Sequence, residues 1–170
     1  MPEQAAIGFG TFQTGVREEL DQYLAFVEGL AEAPHWPREA WKSFVLPDDT
    51  GDAVQRRIFL ARFGGGKQGS IAGIIAVALT GATTELELLL VASGARRQGL
   101  GGRLSRHWLQ WACESGATEA FLEVRASNTG ARSLYGRLGF QDRGVRARYY
   151  HQPKEDAVLM QRTLPRSTST

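Results

Sequence analysis

Residues 95–104 read ARRQGLGGRL: two arginines and a glutamine, then three glycines within four positions, running into a helical pattern. The strand-like ELELLLV (85–91) precedes this stretch, and apolar residues Leu100, Leu104, Trp108 and Trp111 follow it on one side of a predicted helix over 100–115. Glycine lets the backbone bend tightly and lets a ligand approach without meeting a Cβ. The first N–H groups of a helix have no internal partner, and with the helix dipole they favour an anion such as phosphate. Arg96, Arg97 and Arg103 place positive charge beside that turn.

Two familiar phosphate motifs fail on position. A Walker loop ends in Gly-Lys-Ser/Thr, but Gly66-Lys67 is followed by Gln68, and Ala61 stands where the first glycine belongs. A dinucleotide fingerprint starting at Gly99 needs glycine or alanine at 104, where Leu104 stands.

On either side of the turn the chain organises as strands and helices in the order βααβββαβαββ, giving an α/β class with a mixed sheet. The expected elements are a strand at 7–12, helices at 16–30 and 38–44, and strands at 58–63, 71–80 and 85–91. After the helix at 100–115 come a strand at 120–124, a helix at 129–138 ended by Gly139, and strands at 140–150 and 157–164. LPDDTGDA (46–53) and GGGKQG (64–69) read as turns, and PRSTST (165–170) as a mobile polar tail. No linker or repeat divides the chain, so one domain over 1–164 is expected.

The 170 residues, 42% hydrophobic and 22% charged, suit a globular domain with a sizeable core. The formal charge of +2 comes without a long Lys/Arg block, which argues against nucleic acid as partner. Basic residues cluster locally instead, at 96, 97 and 103 and again at Arg143, Arg146 and Arg148, as for a local anionic ligand. The single Cys113 excludes an intrachain disulfide, and it reads as a buried structural thiol. His35, His107 and His151 are too scattered for a metal site. The longest apolar run, IAGIIAVAL (71–79), is strand length, and MPEQAAIGFG lacks the basic start and apolar run of a signal peptide. The expectation is a cytoplasmic protein without a membrane partner. The sequence specifies no oligomeric state.

The spacing Arg96-x-x-Gly99-x-Gly101 resembles the pyrophosphate-binding motif of GNAT acetyltransferases. FLEVRASNTGARSLYGRLGF (121–140) strengthens the resemblance. It is similar to the RimI branch, the N-terminal acetyltransferases of ribosomal proteins, at Leu122, Glu123, Val124, Arg125, Ser127, Asn128, Ala131, Leu134, Tyr135, Gly139 and Phe140. RARYYHQPKEDAVLM (146–160) resembles that family's closing strands, and HWPREAWKSF (35–44) its segment beside the peptide site. The chain departs from the family pattern at Ala92-Ser93, where Asp-Pro is common, and at His151, where proline is common.

The resemblance implies a GNAT fold of about seven strands and four helices, and acetyl-CoA as co-substrate without a metal. It implies coenzyme contacts from Leu90, Val91, Arg96, Arg97, Gln98, Gly99, Leu100, Gly101, Gly102, Asn128 and Tyr135, with the Leu90–Val91 amides polarising the thioester carbonyl. Glu123 would be the general base for an amine acceptor, and Tyr135 the acid for the departing thiolate. His35, Trp36, Tyr149 and Tyr150 would line the acceptor channel. The implied acceptor is a protein N-terminal α-amine, with a ribosomal protein as partner. Two alternatives stay open at this point: a small-molecule amine or lysine acceptor, and a non-catalytic acyl-CoA-binding module.

Overall fold

The computed structural model describes residues 13–30, 33, 36–45, 54–64 and 69–166. The elements are β1 (Gln13–Thr14), α1 (Leu20–Glu28), α2 (Arg38–Lys42), β2 (Val54–Arg62), β3 (Ile71–Thr80), β4 (Thr83–Val91), α3 (Leu100–Glu114), β5 (Glu119–Arg125), α4 (Thr129–Arg137), β6 (Gln141–His151) and β7 (Lys154–Thr163). Short 3-10 turns cover Arg17–Glu19 and Ser93–Ala95. Among the described residues, seven strands form one sheet in the order β1-β2-β3-β4-β5-β7-β6. The β4–β5 pair is parallel and the other pairs are antiparallel.

The run IAGIIAVAL becomes β3, buried from Ile71 to Leu79 because the sheet is covered on both faces there. On one face, α3 and α4 pack against Phe59, Ile75, Val77, Leu86, Leu122 and Val124. On the other, α1 and α2 pack with Ile58, Leu60, Ile74, Ala76 and Leu90. A methyl at Gly73 would sit 3.1 Å from Leu100, Leu104 and the Leu90 carbonyl oxygen. Glycine there lets α3 press onto the sheet, which fixes its N-terminus beside the end of β4. The buried Trp108 indole donates to Thr84 Oγ1 at 2.9 Å, and Thr84 donates onward to the Ala78 carbonyl at 2.8 Å, so these buried polar groups are satisfied.

Several boundaries differ from the sequence reading. The helix expected from 16 starts as a 3-10 turn, and α1 proper begins at Leu20. Glu19 is drawn into tertiary contacts there, accepting from the Tyr23 hydroxyl at 2.7 Å and pairing with the buried Arg62 at 2.9 Å. β2 starts at Val54 rather than 58, because its first half is exposed at alternate residues and carries Gln55, Arg56 and Arg57. The strand expected at 7–12 and the turn at 46–53 lie outside the described residues; the first described strand is Gln13–Thr14, paired with Leu60 and Phe59. Gly139, at φ +84°, follows α4 as expected of a C′ residue. Among the described residues, no helix is long and apolar enough to cross a membrane.

Candidate active site

The parallel strands β4 and β5 pair only from Thr83–Glu119 to Leu86–Leu122. Beyond that point they part, and a gap opens between Glu87–Val91 and Glu123–Arg125. The parting begins at a bulge: Ala76 of β3 faces Leu88 and Val77 faces Leu86, leaving Glu87 as an extra residue on β4. The Ala92 amide donates to the Ala72 carbonyl at 2.9 Å. By the alternation of an antiparallel ladder, Leu90 therefore turns its amide toward β3, while Leu89 and Val91 turn theirs toward the gap. Of the two amides expected to polarise a carbonyl, Val91 faces the gap. The Leu90 amide turns to β3 instead, and the Leu89 amide, which the sequence reading does not name, also faces the gap.

The glycine turn adjoins one face of this gap. Gly99, at φ +76°, is the N-cap of α3 and offers no side chain to its N–H groups. A methyl at Gly99 would meet no atom within 4 Å, so the space in front of the turn is open. A methyl at Gly101 would meet Leu134, Leu89 and Val91 at 3.5–3.9 Å, which places this glycine against the gap-facing residues of β4. Arg103's amide already bonds back to the Gly99 carbonyl, which leaves the turn at 100–102 as the donor-bearing segment. Two of the expected ligand residues also brace the loop: Arg96 Nε donates to the Val91 carbonyl at 3.0 Å, and Gln98 donates to the Gly94 carbonyl at 2.9 Å. Arg97 is exposed and has φ +63°, a left-handed conformation uncommon for a residue with a side chain.

α4 closes the same side of the gap. Asn128 Oδ1 accepts from the Ala131 amide at 3.1 Å and caps α4. Tyr135 is 5% exposed, with its ring edge-on to Phe140 at 6.0 Å. Burial, with Tyr150 adding to it, pushes its phenol well above the ordinary value, so it stays protonated at any physiological pH.

The opposite face carries the carboxylates. Leu122 and Val124 point into the α3–α4 core, so Glu123 between them faces the other way. Glu85 shares that face, because its neighbours Thr84 and Leu86 point into the core. Glu87 also lies there, 3.6 Å from Arg56. Burial, and then the charge of Glu123, hold the Glu85 carboxyl above the usual carboxylate range, with Arg146 pulling the other way. Burial likewise raises Glu87, with Arg56 opposing. The sequence reading missed both glutamates, although the alternation in ELELLLV puts residues 85 and 87 on one face of a strand.

Tyr149 and Tyr150 stand beside Glu123. In a regular strand, consecutive side chains point to opposite faces. Here Arg146 of β6 faces Ala157 of β7 and Tyr150 faces Glu155, so residues 147–149 bulge out against Asp156 alone. Arg148, at φ +55°, donates its amide to Asp156 at 2.7 Å and holds the bulge. The two tyrosine rings thus meet edge-to-face at 5.2 Å. Hydrogen bonding to Glu123, then burial, raises the Tyr149 phenol. The Arg125 guanidinium stacks 4.0 Å above the Tyr150 ring and donates to the Gln152 and Pro153 carbonyls, fixing the β6–β7 hairpin.

The structure corrects one further expectation. Arg146 was grouped with Arg143 and Arg148 as a site for an anionic ligand, but its guanidinium lies 2.9 Å from Glu123 Oε1, because β6 runs within reach of that carboxylate. Trp36 stacks on Phe44 at 5.8 Å and tilts against Trp41 at 5.2 Å, so its ring belongs to the aromatic cluster under α1 and α2. His35 lies outside the described residues.

Residues 20–140 match the family model described as Acetyltransferase (GNAT) family. The ribosomal-protein-bS18-alanine N-acetyltransferase of Escherichia coli is 42% identical over 67 residues, which cover 38% of this chain and 45% of that protein. The N-alpha-acetyltransferase RimI of Mycobacterium tuberculosis is 35% identical over 98 residues, covering 55% and 60% respectively. The chain thus spans about half the length of the curated relatives it matches. The crystal structure of the Escherichia coli ribosomal-protein-S18-alanine N-acetyltransferase superposes with a TM-score of 0.74 at 23% identity, over 94% of this chain and 97% of that one, a likeness of fold.

Proposed function

The chain belongs to the GNAT acetyltransferase family, and from that premise we propose that it transfers acetyl from acetyl-CoA to the α-amine of a protein N-terminus, an alanine of a small-subunit ribosomal protein. Residues 1–164 form the acetyltransferase domain in this reading, and the protein works in the cytoplasm. The observation that carries it is the gap between β4 and β5, with an uncapped glycine turn on one face and Glu123 on the other.

The turn of α3 takes the coenzyme diphosphate through the backbone at 100–102, with Arg96 and Arg97 nearby and the Asn128 amide group at the mouth of α4. The Leu89 and Val91 amides donate to the thioester oxygen as it gains charge. Glu123 takes a proton from the acceptor ammonium, since only the neutral amine attacks. The acceptor nitrogen bonds to the acetyl carbon, the carbon–sulfur bond breaks, and the electron pair leaves on sulfur. Tyr135 donates a hydrogen bond to that sulfur. Because burial holds its phenol high, it stabilises the leaving group better as a donor than by giving up its proton outright. As the amide forms the nitrogen gives up its second proton to water, and the thiolate takes up one proton from water or through the phenol, so that amide and free thiol leave with the first proton on Glu123. Tyr149 and Tyr150 hold the first peptide units beside Glu123.

An α-amine, with a pKa near 8 against about 10.4 for lysine, has far more neutral form at pH 7, so a single carboxylate base suffices. The test is a matched pair of peptides bearing the ribosomal N-terminal sequence. One has a free N-terminal alanine and no lysine; the other has a blocked N-terminus and one internal lysine. The expected kcat/KM is at least about tenfold higher for the first. Equal rates, or a preference for the lysine, would reject the N-terminal acceptor and leave acetyl transfer standing.

A further inference from the structure

Resting on the reading that Tyr149 and Tyr150 hold the acceptor, we propose that Arg125 is a positioning residue for acceptor binding, which fixes the Tyr150 ring and the turn after it to the end of β5. Arg125 belongs to the second motif, yet neither the coenzyme contacts nor the acid–base pair uses it. Its guanidinium stacks 4.0 Å from the centroid of the Tyr150 ring. It also donates to the Gln152 carbonyl at 3.0 Å and to the Pro153 carbonyl at 3.2 Å, and pairs with Glu155 at 3.3 Å.

The strand register explains this reach. Arg125 faces Ala157 of β7, and Tyr150 faces Glu155 on the same strand. Residues opposite each other, and alternate residues along a strand, share one face of a sheet, so Arg125, Ala157, Glu155 and Tyr150 lie together. Glu155 is anchored in turn by the Ser127 amide. The backbone of Arg125 serves the other side of the gap, because its carbonyl accepts from the Asn128 amide at 3.0 Å where α4 begins. One residue thus joins α4 by its backbone and the acceptor hairpin by its side chain. Tyr150 lies among the reacting groups: burial raises its phenol, the Arg125 charge opposes that rise, and Glu123 and Tyr149 add to it. Tyr150 adds in turn to the rise of the Tyr135 phenol, so its ring is near both the base and the acid. The hairpin beyond it, at 151–154, is exposed and has little packing of its own to hold it. A flat guanidinium can clamp a ring face and two carbonyls at once, which an ammonium cannot.

The test is a double-mutant cycle between Arg125 and Tyr150, read with acetyl-CoA and the peptide that has a free N-terminal alanine. Arg125→Gln should raise the peptide KM about tenfold, with kcat changed less than about threefold and the acetyl-CoA Kd, from calorimetric titration, less than about twofold. Arg125→Lys should still raise the peptide KM by about fivefold or more, because it keeps the charge and loses the flat stack and the fork of donors. Tyr150→Ala should raise the peptide KM on its own, and adding Arg125→Gln to it should raise the KM less than about twofold further, since the ring that Arg125 holds is gone. Should Arg125→Gln fold poorly, Arg125→Lys carries the same cycle. Losses that multiply in the double variant, full recovery by Arg125→Lys, or a loss of acetyl-CoA affinity as large as the rise in peptide KM overturn the proposal and leave the acceptor role of Tyr150 standing. A Tyr150→Ala enzyme with a wild-type peptide KM removes that acceptor role, and the inference falls with it.

Discussion

The N-terminus of α3 packs against Leu134 in the body of α4, yet the two helices begin in opposite ways. α4 begins with Asn128, whose side chain accepts from the Ala131 amide. α3 begins with Gly99, which has no side chain to offer. A glycine N-cap is only about a few tenths of a kcal/mol weaker than a side-chain cap, so α3 forgoes little stability by leaving its donors free of a side chain. The open space in front of Gly99 and the arginines around it give an anion the place that a cap would fill. The difference teaches that a helix can spend its terminal donors on its own fold or keep them for a ligand, and on the function proposed above this site sets one helix of each kind side by side.

The comparison can be broken where the two helices touch. A methyl at Gly102 would stand 3.2 Å from Leu134 Cδ1, closer than ordinary packing. Gly102→Val should overpack the junction and cost about 2 kcal/mol, lowering the Tm by roughly 4–8 °C in thermal denaturation without coenzyme. An unchanged Tm would mean that Leu134 yields freely and that the start of α3 is not coupled to α4. Asn128→Ala sharpens the comparison with a smaller effect. It removes the cap of α4 and should cost about 1 kcal/mol, seen as a fall of about 2–4 °C, while coenzyme affinity drops by less than about tenfold. A large affinity loss with no change in Tm would reverse the roles given to the two helix ends.

The glycine turn and the second motif were legible because local chemistry dictates them. A left-handed N-cap at Gly99, a C′ glycine at 139 and an asparagine cap at 128 each follow from residue type and spacing. The continuous apolar run at 71–79 likewise announced the central strand. What the sequence hid is set by pairing across the sheet. The extra residue at Glu87 depends on how β3 registers against β4, and it decides that Leu89 rather than Leu90 faces the gap. The bulge at residues 147–149 depends on β7, and it brings Tyr149 and Tyr150 to one place. Arg146 and Glu123 are 23 positions apart, on strands that β7 separates, so only the folded sheet reveals their pairing. Trp36 reads as channel from sequence, and its packing on Trp41 and Phe44, which leaves the ring partly buried, comes from tertiary contacts that the sequence does not show.

The central claim is that the glycine turn of α3 binds the coenzyme. Calorimetric titration of acetyl-CoA into wild type and Gly101→Val tests it most directly. A methyl at 101 would meet only ordinary contacts within the protein, and a side chain there stands in the way of close approach to the backbone, so Gly101→Ala serves if the larger valine folds poorly. The account predicts binding by wild type and a loss of at least about 100-fold, or about 2.7 kcal/mol, in a folded Gly101→Val. Equal affinity in the two folded proteins would contradict it.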